Sequence, residues 1–186
     1  LYTKEYFELV RKHLKPGGIV SQWVPLYESS QDVVKSEVAT FFDVFPAGTI
    51  WGTKGGDLVL VGQADPSPIN VDGVEERMNQ SEAVAASLRE VGFSSAIDLL
   101  ATYSGRAPEV GPWLAGAEIN RDRSLRLQYR AGLHVDFDNP EAIYASMIGG
   151  RTYPDDLFVA SDSLKQALKR ALAGRVRREE SASRPE

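Results

Sequence analysis

The segment that most restricts the fold is a helix stop followed at once by an apolar ribbon. Phe7, Val10 and Leu14 recur at helical spacing, and Lys15-Pro16-Gly17-Gly18 then ends the pattern. Lysine suits a helix C-terminus, and Pro-Gly-Gly cannot continue one. The next six residues, Ile19-Val20-Ser21-Gln22-Trp23-Val24, are β-branched and aromatic with little alternation. That pattern predicts a strand buried on both faces, as in a parallel sheet. Thr3 is a candidate N-cap for the preceding helix, with Glu5 in its first turn, where the helix dipole favours a negative charge.

Downstream the alternation of helix and strand continues. Pro25-Leu26-Tyr27-Glu28 reads as a loop, and Ser29 with Asp32 resembles a capping box. Val34, Val38, Phe41 and Phe45 mark one stripe of a helix that Pro46-Ala47-Gly48 ends. Residues 49–53 and 58–62 read as strands joined by a turn at Lys54-Gly55-Gly56-Asp57. Asp65-Pro66-Ser67-Pro68 is a breaker cluster and a candidate boundary. Beyond it, helices are expected over 74–79, 81–91 (Val84, Leu88 and Val91 on one face), 97–103, 140–148 and 162–172, and one closing near 112–116. Residues 125–130 read as an edge strand or extended segment, and 175–186 as a disordered, charge-rich tail.

Composition excludes several classes of function. The chain of 186 residues has no cysteine and two histidines, which removes disulfides, thiol nucleophiles and cysteine zinc sites and leaves little for a histidine metal site. Its net charge of −5, from 21 basic and 26 acidic residues, argues against nucleic-acid binding by bulk charge. No apolar run approaches the ~20 residues of a membrane span, and no signal peptide is visible. The expected setting is the cytoplasm, or the cytoplasmic face of a larger assembly. The chain starts Leu1-Tyr2-Thr3, without methionine, and is expected to be a piece of a longer polypeptide.

The first 63 residues resemble the end of a Rossmann-like methyltransferase sheet: a helix, a parallel strand, a helix, then a hairpin whose last strand runs antiparallel to the rest. The wording is closer to one branch. Leu1-Tyr2-Thr3-Lys4-Glu5-Tyr6-Phe7 and Gly18-Ile19-Val20-Ser21-Gln22 resemble the spermidine synthases and their relatives. Trp23-Val24-Pro25-Leu26-Tyr27, the hairpin at 55–62, the segment 114–122 and Leu125-Arg126-Leu127-Gln128-Tyr129-Arg130 are similar to a bacterial spermidine synthase-like group, whose members are often fused to membrane transporter-like segments. The likeness covers roughly residues 1–131, and the order of its motifs is more specific than any one of them. It implies three segments: a Rossmann-like core part over 1–63, a helical part over 64–131, and a helical extension over 132–186.

That resemblance implies transfer of an aminopropyl group from decarboxylated S-adenosylmethionine, a co-substrate and not a resident cofactor, to a polyamine such as putrescine. The family's glycine-rich ligand turn and ribose-binding acid are expected outside this chain, and its catalytic aspartate just upstream of Leu1. The chain then corresponds to the C-terminal half of such an enzyme, inactive alone. The resemblance places Gln22 where its side-chain oxygen accepts from the amine; otherwise it is a polar residue satisfied at a strand end. Trp23 and Tyr27 flank the carboxyl edge of the sheet, where open α/β folds bind ligands. They wall a slot for a methylene chain or simply pack. Glu28 attracts a cationic amine or is a solvated loop acid. Asn120 and Asp122 are expected to brace a turn, and Gly52-Thr53-Lys54-Gly55-Gly56 lacks the order of a phosphate loop.

Two other readings stand beside the aminopropyltransferase: an S-adenosylmethionine-dependent methyltransferase, and a non-catalytic module attached to a membrane transporter. If strands are missing, the sheet has an open edge, and the chain alone is expected to aggregate or pair with a second copy.

Overall fold

The computed structural model describes residues 2–27, 29–52, 56–124, 139–149 and 152–182, without the side chains of 176–182. The chain is mixed α/β, with a four-stranded antiparallel sheet and a two-stranded parallel pair.

Helix α1 (Lys4–His13) starts where the Thr3 side chain accepts from the Tyr6 N–H, and it buries Phe7. Gly17, at φ 70°, lets the chain reverse in the left-handed region, and strand β1 (Ile19–Pro25) follows. Helix α2 (Gln31–Val44) buries Val34, Val38 and Phe41 as the spacing predicts. Its N-cap is Ser30, whose hydroxyl accepts from the Val33 N–H at 3.4 Å, and not Ser29. Strands β2 (Thr49–Gly52) and β3 (Asp57–Gln63) form the expected hairpin.

The sheet order is β1-β3-β2-β5, with β5 at Tyr103–Arg106. Strand β3 lies antiparallel to both β1 and β2, so β1 and β2 run the same way. The burial expected for residues 19–24 is corrected here. The described neighbour of β1 is antiparallel, and one face of the strand is open, with Ile19 63% and Trp23 46% exposed. The alternation is hidden in the sequence because the outward positions carry Ile and Trp.

Two cores flank the sheet. On one face, α1 and α2 pack Phe7, Val34, Val38 and Phe41 over Val24, Leu58, Leu60 and Ile50. Helices α6 (Ala107–Val110) and α7 (Pro140–Ile148) complete this core with Val110, Ile143 and Met147. The second core gathers strand β4 (Ile69–Asn70), α3 (Val71–Asn79), α4 (Glu82–Glu90), α5 (Ala96–Leu100), β6 (Phe158–Val159) and α8 (Asp162–Ala182) around Tyr103 and Phe158. Strands β4 and β6 pair in parallel.

Several expectations for the second half are corrected. Residues 103–106 form a strand on the free edge of β2, and the helix before them stops at Leu100. Of the Val84, Leu88 and Val91 face, Leu88 packs against the second core while Val84 is 48% and Val91 67% exposed. No helix spans 112–116, where the chain runs in turns. Residues 175–182 continue α8 instead of forming a disordered tail, and the Arg175 guanidinium donates to Ala101 O and Gly52 O at 3.1 Å each. The expected segment 125–130 lies outside the described residues. Among the described residues no helix is long and apolar enough to cross a membrane.

Candidate functional site

The period of two along β1 divides the expected site residues between the faces of the sheet. Val20, Gln22 and Val24 stand opposite Gly62, Leu60 and Leu58, so Gln22 points under the α1–α2 layer. Trp23 stands opposite Val59 on the open face, and its ring lies 6.1 Å from that of Tyr27. Trp23 and Tyr27 therefore meet, as a slot wall would, but Gln22 is not part of that wall. Glu28 lies outside the described residues.

What Gln22 does meet was not evident from the sequence. The Tyr2 hydroxyl donates to Trp23 O at 2.7 Å, and the Gln22 amide nitrogen donates to the same carbonyl at 3.1 Å. Tyr2 sits at φ 63°, a left-handed conformation that costs a residue with a side chain roughly 1–3 kcal/mol. Asn120 helps to hold it there: its Nδ2 donates to Tyr2 O at 2.9 Å, and its own N–H donates to the Thr40 hydroxyl at 2.8 Å. Asn120 thus braces the chain, as expected, and ties residue 2 to α2. Asp122 donates its N–H to the Glu5 carboxylate at 3.1 Å, which is also a structural contact.

Glu37 of α2 is a buried acid. It is 8% exposed and sits in the stripe that also carries Val34, Val38 and Phe41. Burial pushes its carboxyl up to about 8, with no donor or cation pulling the other way. The Tyr2 phenol is raised in turn, first by its own burial and then by the field of Glu37. Three cations of α1 and α2 have partners of their own. Lys4 pairs with Asp43 at 2.6 Å, Lys35 lies over the Trp113 ring at 5.3 Å, and Arg11 donates to Val44 O at 2.9 Å. An acid inside an apolar helical stripe was the available sequence signal, because Glu37 follows Val34 by three positions and precedes Phe41 by four.

A separate cavity of about 840 Å³ lies at the far end of β2, lined in part by Gly52, Ile97, Tyr144, Arg170 and Arg175. None of Gln22, Trp23 and Tyr27 lines it. Among the described residues no cluster of His, Cys, Asp and Glu is arranged to hold a metal ion.

No protein-family model, curated protein or solved structure matches this chain.

Proposed function

We propose that this chain is the C-terminal part of a spermidine synthase-like aminopropyltransferase built on a Rossmann-like methyltransferase sheet. The observation that carries the reading is the strand order. Two co-directional strands, β1 and β2, are separated by the antiparallel β3, and Gln22 sits on the first of them. A methyltransferase-like sheet ends in this way. The free edge of β1 and its open Ile19–Trp23 face are where further parallel strands and their covering helices would pack.

In this reading the donor is held by a preceding part of the sheet. An amine of a polyamine such as putrescine attacks the methylene carbon beside the sulfonium of decarboxylated S-adenosylmethionine. A carbon–nitrogen bond forms, the carbon–sulfur bond breaks, methylthioadenosine leaves, and a general base takes the ammonium proton. Residues of this chain serve the acceptor side. Gln22 orients the amine, while Trp23 and Tyr27, on the opposite face of the sheet, pack outside that contact.

The test is an assay of the parent polypeptide with putrescine and decarboxylated S-adenosylmethionine. Spermidine and methylthioadenosine formed in equal amounts support the proposal. Methyl transfer from S-adenosylmethionine without aminopropyl transfer would move the parent to the methyltransferases. Neither product would favour the non-catalytic, transporter-attached module.

A further inference from the structure

The cavity at the far end of β2 holds a cation with no counter-ion among the described residues. Its volume of about 840 Å³ is in the range of small-molecule sites. The end of β2 and α5 meet α7 and α8 here, and the lining residues differ in depth. Gly52 and Tyr144 are buried and Arg175 is half-buried, whereas Asp98, Glu141 and Arg170 are exposed and stand at the mouth. Half-buried Phe93, Ile97 and Ala171 add an apolar wall. The inner end therefore carries one charge, the Arg175 guanidinium. That group is fixed before any ligand arrives. It donates to Ala101 O and Gly52 O at 3.1 Å each and lies 5.4 Å from the centre of the Tyr144 ring. Tyr144 is held in turn, its hydroxyl 2.8 Å from that of Ser104. These partners are dipoles and a ring, and no carboxylate of the described residues pairs with Arg175. A guanidinium withdrawn from water keeps its charge, and charges so placed are normally matched by an anion. It also has further N–H groups to give.

Gly174 supplies the room. Glycine is a poor helix former, yet it stands inside α8. It lines the cavity, and a Cβ built on it would meet no other atom within 4 Å. No clash in the described protein calls for glycine here, and what its missing side chain leaves is open space. We propose that this cavity binds a small organic monoanion, a carboxylate on an apolar body. The carboxylate sits on Arg175, whose planar fork suits it, and the body lies along Phe93, Ile97 and Ala171. The mouth sets the valence. Asp98 and Glu141 outnumber Arg170 there, so a dianion such as a phosphate ester meets like charge on entry. Asp98 is kept in place by the Ser94 N–H, which donates to it at 3.1 Å. The site stands apart from the proposed polyamine side, since none of Gln22, Trp23 and Tyr27 lines it.

The test is calorimetric titration of the parent polypeptide with naphthylacetate, its neutral amide naphthylacetamide, and the dianion naphthyl phosphate. Naphthylacetate is expected to bind, and the amide and the phosphate to bind about tenfold more weakly or less. Gly174→Leu puts a side chain into the open space and is expected to abolish naphthylacetate binding. Its thermal midpoint should stay level or rise, because leucine is the better helix former. Gly174→Ala, which fills less of the space, is expected to fall between wild type and Gly174→Leu in affinity, and it carries the steric test if the leucine variant unfolds. Arg175→Lys keeps the charge without the fork and is expected to weaken naphthylacetate about tenfold. Equal binding of the acid and the amide overturns the assignment. So does naphthylacetate affinity unchanged by both Gly174 variants, or a wild type that binds no naphthylacetate. Naphthyl phosphate bound more tightly than naphthylacetate would overturn the choice of a monoanion.

Discussion

At the scale of single residues, Glu37 trades stability for a charge. Folding raises its carboxyl from the ordinary 4.5 to about 8, so the folded chain holds that proton more tightly than the unfolded one. The contribution is therefore most favourable below pH 4.5 and is lost as the pH rises through 8. Glu37→Gln is expected to match the wild type near pH 4 and to exceed it by a growing margin toward pH 8, on the order of a few kcal/mol. Denaturant midpoints taken across that range check this. A gap that stays constant with pH would mean that folding leaves the Glu37 carboxyl at its ordinary value. Asn120 works in the opposite sense, since it stabilises a strained neighbour. Asn120→Ala removes the donor to Tyr2 O and is expected to cost ~1–2 kcal/mol. The same variant should weaken any ligand that depends on Tyr2, and fluorescence-monitored unfolding together with calorimetry checks both effects.

At the scale of elements, close approach explains why α2 sits where it does on the sheet. A Cβ at Gly62 of β3 would come within 2.7 Å of the Phe45 ring and 3.1 Å of Phe41. Those two rings stack with centroids 5.1 Å apart, and Phe41 meets Phe7 edge-on at 5.3 Å. Gly62→Ala is expected to destabilise by ~1–3 kcal/mol through overpacking. Phe45→Leu in the same chain should return part of that loss, because the two sites share one volume. Strict additivity of the two changes would show that the contact does not matter. The same geometry was half legible in the sequence. The aromatic stripe of α2 announces a buried helix face, but nothing in the glycine itself says that a ring lies on it. β1 shows the converse. Its composition announces a strand, yet Ile19 and Trp23 conceal which face is open, since apolar residues at outward positions erase the alternation.

At the scale of the whole molecule, the last helix joins the two cores. Arg175 of α8 donates to Ala101 O beside α5 and to Gly52 O at the end of β2, and its guanidinium lies 5.4 Å from the centre of the Tyr144 ring on α7. Arg175→Ala is expected to cost ~1–3 kcal/mol by leaving two carbonyls without their donor. A lowered midpoint in thermal unfolding is the readout, and an unchanged midpoint would return this segment to the loosely attached tail that its composition suggests. The edge of β1, unpaired among the described residues, carries a second molecular expectation. The chain alone should associate as its concentration rises, read by light scattering. Methylthioadenosine should leave its melting temperature unchanged, because the proposed donor site lies on other strands. A clear stabilisation by the nucleoside would count against that division of the sheet.

Local chemistry determined the elements whose signals are short-range. Thr3, Lys15-Pro16-Gly17-Gly18, the Val34-Val38-Phe41 stripe and the glycine turn before β3 set α1, β1, α2 and the hairpin, because caps, breakers and periodicity act within a few residues. Tertiary contact decided what depends on distant partners. Residues 103–106 became a strand because β2 offered a free edge, and the charged run after Gly174 became a helix that is tied down through Arg175. The candidate site belongs to the second kind. Tyr2 and Gln22 meet at Trp23 O only because Asn120, over a hundred residues away in sequence, fixes the turn at Tyr2. No window of sequence contains that meeting, and a buried charge makes sense only in the company the fold gives it.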